Sequence, residues 1–219
     1  MDHLVLFSYY RSSSSYRVRI ALHFKELDFE YRAVHLVKDG GEQKKDDYLA
    51  LNPMGEVPCL VHNGQAIAQS VAIIEYLEAL KPEPRLYPGA APGIARIRQV
   101  CEMVNSGIQP VQNLKVLKEL DKRFHTGPEG KADWARLWIK RGFEALERKV
   151  RETAGQFCMG DEVTAADAFL VPQIFNAKRY QVDMDLFPTL NRINTNCLAL
   201  AAFQKAEPSR QPDTPTPSP

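Results

Sequence analysis

Residues 55–80, GEVPCLVHNGQAIAQSVAIIEYLEAL, carry the fold in one stretch. Asn63-Gly64 stands between two short apolar runs, and both residues tolerate the left-handed backbone that a two-residue hairpin turn demands. The run that follows, SVAIIEYLEAL, reads as a helix from Ser70 to about Leu80, with Ser70 as a plain N-cap by residue type. Val57-Pro58 sits just ahead of the first strand of the hairpin.

Upstream of it, LVLFS (Leu4 to Ser8) reads as a short strand, RVRIALHFKE (Arg17 to Glu26) as a helix capped by the serines before it, and FEYRAVHL (Phe29 to Leu36) as a second strand. The order β-α-β, a connection, then β-β-α within about 80 residues is that of a thioredoxin-like domain. Downstream, KPEPRLYPGAAPG (residues 81–93) is punctuated by four prolines and reads as a linker. Beyond it the strand signals vanish. Ile94, Ile97, Val100, Cys101, Val104, Ile108 and Val111 mark one face of a long helix, and Trp134, Leu137, Trp138, Gly142, Ala145 and Leu146 mark another, with HTGPEGKAD (residues 125–133) as the loop between. Thr164 and Asp167 fit a capping box for a further helix. The expected division is a thioredoxin-like α/β domain over 1–81, a linker over 82–92, an all-α domain over 93–207 and a Pro-rich tail over 208–219. Five of the 15 prolines fall in that tail, which should run extended or disordered over the surface.

Composition narrows the function classes. The 219 residues carry 28 Lys plus Arg against 27 Asp plus Glu, a balance that argues against a nucleic-acid or anionic-membrane partner. Apolar runs are too short to span a bilayer, and the start of the chain, with an acidic second residue and a brief Leu4–Phe7 run, does not read as a signal peptide. Cys59, Cys101, Cys158 and Cys197 are scattered, without C-x-x-C and without clustered histidines, so neither a disulfide framework nor a metal site is expected and a reducing, cytoplasmic setting fits.

A thioredoxin-like domain without C-x-x-C must work by other means. A cis Val57-Pro58 bond would leave the Val57 backbone able to pair with an extended peptide. Gln69-Ser70 opens a helix whose N-terminus suits a carboxylate. Ser12 to Ser15 open the first helix, where hydroxyls and N–H groups suit a thiolate. Each feature alone is an ordinary turn or capping device, but together they describe a site for a small peptide with a carboxylate at one end and a thiol in the middle, and glutathione is such a peptide.

The chain resembles the zeta-class glutathione transferases. YYRSSSSYRVRIAL (residues 9–22) resembles the class signature SSCSWRVRIAL, and ALNPMGEVPCL, QSVAIIEYLE, GIQPVQNLKVL, GDEVTAADAFLVPQ and RQPDTP follow in the family's order from about Leu4 to Pro215. The resemblance implies glutathione as cofactor, with Ser12 supporting its thiolate and Ser13 beside it, Gln43 at its glycine end, Val57 and Pro58 pairing with its cysteinyl unit, and Gln69 and Ser70 at its γ-glutamyl carboxylate. It also places Gln109 and Asn113 beside the ligand, four residues apart on the long helix and so on one side of it. Arg11 and Arg179 correspond to the arginines around a small dicarboxylic keto-acid substrate, with Lys115 nearby. The activity implied is the isomerisation of maleylacetoacetate to fumarylacetoacetate in phenylalanine and tyrosine breakdown, by reversible thiolate addition to the cis double bond, in a homodimer. Maleylpyruvate, α-halo acids, or a purely binding role for the fold are the alternatives. Ser14 stands where the signature has Cys, and Tyr16 where it has Trp. Since glutathione brings its own thiol, lowering that thiol from about 8.5 by two units needs roughly 2.7 kcal/mol of preference for the thiolate, which hydroxyl and N–H donors at a helix N-terminus supply without a protein cysteine.

Overall fold

The computed structural model describes residues 3–215. They form two compact units: the residues up to Arg85 together with those from Ala199 onward, and Leu86–Leu198.

In the first unit, β1 (Leu4–Ser8), α1 (Ser13–Phe24), β2 (Phe29–Ala33), α2 (Asp46–Leu51), β3 (Cys59–His62), β4 (Gln65–Ala68) and α3 (Ser70–Leu80) follow the thioredoxin-like order. The sheet runs β2-β1-β3-β4, with β1 parallel to β2 and antiparallel to β3, and β3 antiparallel to β4. Asn63 and Gly64 adopt φ of 50° and 78°, as the two-residue turn requires. Helix α1 starts four residues earlier than its apolar spacing indicates, because Ser12 takes the N-cap position and accepts from the Ser15 N–H at 3.2 Å. Strand β2 stops at Ala33 rather than Leu36. Leu6, Val18, Ile20, Leu22, Leu60, Ile73 and Leu77 are buried between sheet and helices.

The basic residues Arg17, Arg19 and Lys25 lie inside this unit. Arg19 is fully buried, donating to the carbonyls of Tyr10 and Ala206 at 3.0 Å and to the Ser8 hydroxyl at 3.2 Å, and burial lowers its pKa to about 10. Lys25 pairs with Glu78 at 2.6 Å and donates to the Lys81 and Pro84 carbonyls at 2.7 and 2.9 Å. These bonds tie residues 81–85 to the first unit. The expected linker is thus divided: residues 82–85 belong with the first unit, and from Leu86, which is buried and whose carbonyl accepts from Ala165, the chain belongs to the second, with residues 89–92 exposed.

The expected C-terminal boundary is corrected as well. Helix α9 (Ala201–Ala206), read in sequence as part of the all-α domain, packs on α1 and buries Phe203 and Ala206 in the first unit. The Pro-rich segment does not simply run over the surface: Pro208–Arg210 makes a 3-10 turn, and Pro208 and Gln211 are buried. Residues 216–219 of that expected tail lie outside the described residues.

The second unit holds α4 (Ala91–Glu102), α5 (Leu114–Phe124), α6 (Gly127–Arg151), α7 (Ala165–Arg179) and α8 (Pro188–Leu198). The first apolar face does not belong to one long helix. After Glu102 the chain widens into a π-helical stretch, Met103–Ile108, then tightens into a 3-10 turn, Pro110–Gln112, where Pro110 has no N–H to continue the ladder. Helix α6 begins at Gly127, inside the expected loop, with Pro128 in its first turn where a missing N–H costs nothing. Its buried stripe is Ala135, Ile139, Phe143, Leu146 and Val150, while Leu137 is exposed. Helix α7 is buried almost all round. Its cap is the expected one: the Asp167 carboxylate accepts from the Thr164 and Cys158 N–H groups, each at 2.9 Å. Among the described residues no helix is long and apolar enough to cross a membrane.

Candidate active site

The sheet register decides which residues meet. Phe7 pairs with Cys59, and Cys59 with Ala68, so the end of β1, the start of β3 and the end of β4 lie in one row. The segments leaving that row are Tyr9–Ser12, Val57-Pro58 and Gln69-Ser70, and the fold thus brings three of the sequence-predicted groups to one edge of the sheet. The fourth link is a side chain that the sequence reading missed. Arg17, buried on α1, donates from Nη1 to the Ser70 Oγ at 3.1 Å.

At the α1 end, Ser12 accepts the Ser15 N–H, which leaves its own hydroxyl proton to be donated outward. Ser13 is buried, and the Ser13 and Ser14 amides lie in the first turn, where the helix offers no acceptor for them. Arg11 is half-buried, its guanidinium 5.9 Å from the Tyr9 ring and 6.0 Å from the Tyr10 ring. Burial, opposed by the Arg11 charge, pushes the Tyr9 hydroxyl up to about 12, so it is neutral near pH 7.

At the β3 end the Val57-Pro58 bond is cis, and Val57 precedes the first paired residue, Cys59. The carbonyl of Glu56 is held by the Tyr48 hydroxyl at 2.6 Å and the Asn52 amide at 2.7 Å, which fix the approach to Val57. Neither was anticipated, although Asn52-Pro53 is a turn signal and the Glu56 carbonyl lies only four residues on from Asn52. Gln69 adopts φ 75° at the N-cap of α3, a backbone state that non-glycine residues rarely take and that concentrates at binding sites. Ser70 follows, buried, in the first turn.

Gln43 lies in the 3-10 turn Glu42–Lys44 and is only 7% exposed. Its Nε2 is 3.4 Å from the Leu36 carbonyl, and its Oε1 has no hydrogen-bond partner among the described residues. A side chain at Gly41, where φ is 111°, would come within 2.6 Å of that amide. The Ser15 hydroxyl is likewise buried without a partner. Orphaned polar atoms, first-turn amides and an unpaired strand extension are what a small peptide with thiol and carboxylate groups needs, so these residues fit glutathione.

Gln109, Asn113 and Arg179 belong to the second unit. Gln109 and Asn113 do not share a helix face: Gln109 precedes the 3-10 turn, while Asn113 is the N-cap of α5 and spends its side chain on the Lys115 N–H at 3.1 Å. Arg179 ends α7, exposed, 5.1 Å over the Tyr180 ring. All four cysteines are free and buried. Burial raises Cys59, next to Pro58, to about 11, so the protein's own thiol at this edge is not ionised at neutral pH.

The family model for the glutathione S-transferase N-terminal domain matches residues 11–80. The chain is 49% identical over 211 residues to the rat (Rattus norvegicus) maleylacetoacetate isomerase, covering 96% of this chain and 95% of that one. A crystal structure of the Anaeromyxobacter dehalogenans maleylacetoacetate isomerase with glutathione bound in its active site superposes with a TM-score of 0.88 at 47% identity, over 98% and 99% of the two chains. A maleylpyruvate isomerase, a bacterial zeta-class glutathione transferase, superposes at 0.93 with 39% identity over 96% of this chain and 100% of that one.

Proposed function

This chain belongs to the zeta class of glutathione transferases, and on that premise we propose that it isomerises maleylacetoacetate to fumarylacetoacetate with glutathione as cofactor. The observation that carries the reading is the row Phe7–Cys59–Ala68, which gathers Ser12, Val57-Pro58 and Gln69-Ser70 at one sheet edge.

When bound, glutathione supplies the thiol that adds reversibly to the cis double bond and leaves once that bond has rotated. The chain's residues do the rest. Ser12 donates its free hydroxyl proton, and the Ser13 and Ser14 amides add the positive end of α1, so a thiolate is favoured there over a thiol. Val57 offers backbone groups to an extended peptide, and the Tyr48 and Asn52 bonds to Glu56 keep that backbone in place. Ser70, steadied by Arg17, and Gln69 receive a carboxylate at the start of α3. Gln43 meets the other end of the peptide. Arg11, braced on two tyrosine rings, presents a planar fork to a substrate carboxylate. The same reading carries a homodimer in the cytoplasm, acting in phenylalanine and tyrosine breakdown.

The maleylpyruvate isomerase that superposes at 0.93 favours one second reading, the same chemistry on maleylpyruvate. A spectral assay on both keto acids, with and without glutathione, separates them. Faster turnover of maleylacetoacetate, absent without glutathione and leaving glutathione unconsumed, is expected. Glutathione-independent turnover overturns the assignment.

A further inference from the structure

The C-terminal RQPDTP segment, residues 210–215, has no role in the chemistry above, yet it is built with care. Gln211 is buried and donates from Nε2 to the Lys205 and Glu207 carbonyls at 2.9 and 2.8 Å. The Thr214 N–H returns to the Gln211 carbonyl at 3.1 Å, and its hydroxyl donates to the Pro208 carbonyl. These bonds close the segment on itself and present Asp213.

Asp213 uses both carboxylate oxygens on the first unit. Oδ1 accepts from the Tyr31 hydroxyl at 2.6 Å, and Oδ2 accepts from the Tyr10 N–H at 2.9 Å. Tyr10 is the middle of the three residues that join β1 to the N-cap of α1. Its carbonyl is taken by the buried Arg19 at 3.0 Å, and the carbonyl of Tyr9 before it accepts from the Ser12 N–H at 3.0 Å. The peptide groups on either side of Tyr10 are therefore pinned by two charged side chains, and the next two residues are Arg11 and Ser12. The Tyr9 side chain is buried in the core, so the side chain on one side of Tyr10 and the two peptide groups around it are all held.

We propose that Asp213 is a positioning residue of this enzyme: through the Tyr10 amide it fixes the Tyr9–Arg11 loop and so sets the place of Ser12 and Arg11 for glutathione and substrate. The proposal rests on the functional reading above. It assigns the C-terminal segment a share in cofactor binding. Reciprocity follows, since a tail that favours the glutathione-competent loop must itself be held more firmly once glutathione is bound.

The test uses the full chain, as wild type, Asp213→Ala, Asp213→Asn and Tyr31→Phe. Amide hydrogen exchange across Tyr9–Ser12 is followed without ligand, and glutathione affinity by calorimetry. Asp213→Ala is expected to speed that exchange and weaken glutathione binding by about tenfold each. Asp213→Asn keeps an oxygen for the Tyr10 amide, and Tyr31→Phe keeps Oδ2 on it; both should stay within about threefold of wild type. In the wild type, saturating glutathione should slow exchange at Gln211, Asp213 and Thr214, a readout that needs no variant to fold. Loss of stability in Asp213→Ala with unchanged exchange at Tyr9–Ser12 and unchanged glutathione affinity overturns the proposal, as does a tail whose exchange ignores glutathione. A wild type that fails to bind glutathione overturns the functional reading instead, and the ligand-free exchange data still report on the loop.

Discussion

Arg17 on α1 and Ser70 at the start of α3 are both buried, and the arginine Nη1 donates to the serine hydroxyl oxygen over 3.1 Å. The bond joins the helix that starts at the proposed thiolate site to the helix that starts at the proposed carboxylate site. A hydrogen bond to a charged donor contributes about 1.5–3 kcal/mol, and truncating the arginine also loses packing. Arg17→Leu is therefore expected to lower the unfolding free energy by about 2 kcal/mol in urea titration. A double-mutant cycle with Ser70→Ala should show coupling of about 1–2 kcal/mol. Strict additivity would show that the two residues act separately.

Ser12 and Ser14 should separate sharply in kinetics. Ser12 is the N-cap of α1, and its hydroxyl has a proton left to give. Ser12→Ala should cost about 1 kcal/mol of stability as a lost cap and about a hundredfold in kcat as a lost donor to developing charge. Ser14→Cys, which restores the family's residue, should change kcat by no more than about threefold, since the working thiol comes from the cofactor. Steady-state assays on both variants decide this. A Ser14→Cys rate far above wild type would assign a role to that thiol.

Much of this was legible in the chain, and the divide has a physical cause. Asn63-Gly64, the Ser12 cap and the Thr164–Asp167 box are local signals, each set by one backbone angle or one short hydrogen bond, and each stands where its residues indicate. Apolar periodicity reports which face is buried and not which hydrogen-bond ladder supports it. It therefore runs unbroken through Ile97, Val104 and Ile108 while the backbone passes from α to π geometry. Helix α2 has six residues, too few to show a period. Nothing local in the sequence marks Arg17, Arg19 and Asp213, because their partners Ser70, Ala206 and Tyr10 lie 53, 187 and 203 residues away.

The protein's own thiols should be silent in the native state. All four cysteines are buried, and burial raises Cys59, Cys158 and Cys197 above the usual thiol range. The nucleophile in thiol chemistry is the thiolate, so both access and ionisation are lacking. A disulfide reagent at pH 7 should label essentially none of the four within minutes, and all four once urea unfolds the chain. Fast stoichiometric labelling of one native thiol would contradict the burial described above.

Acid should weaken the fold in two steps of known sign. Burial, with help from Lys205 and Arg19, lowers the pKa of His23, so the folded state resists its protonation. The stability tied to neutral His23 is complete above its unfolded value of about 6.5 and is lost as pH falls from there towards the lower folded value. Glu147 gives the second step. Burial alone would raise its carboxyl, but bonds from Thr189, Leu190 and Arg151 outweigh it and hold the pKa below the ordinary value. Two of those donors are the Thr189 and Leu190 amides at 3.1 and 3.0 Å, so Glu147 on α6 caps the N-terminus of α8. Its contribution is present above the unfolded carboxylate value of about 4.3 and disappears as pH falls through the folded one. Unfolding free energy measured from pH 8 to pH 3 should thus fall first near pH 6 and again below pH 4.5. His23→Phe should flatten only the upper step. Glu147→Gln, which keeps one acceptor oxygen and gives up the charge, should cost about 1–2 kcal/mol at pH 7 and little at pH 3. Equal losses at both pH values would mean that the Glu147 cap owes nothing to its charge.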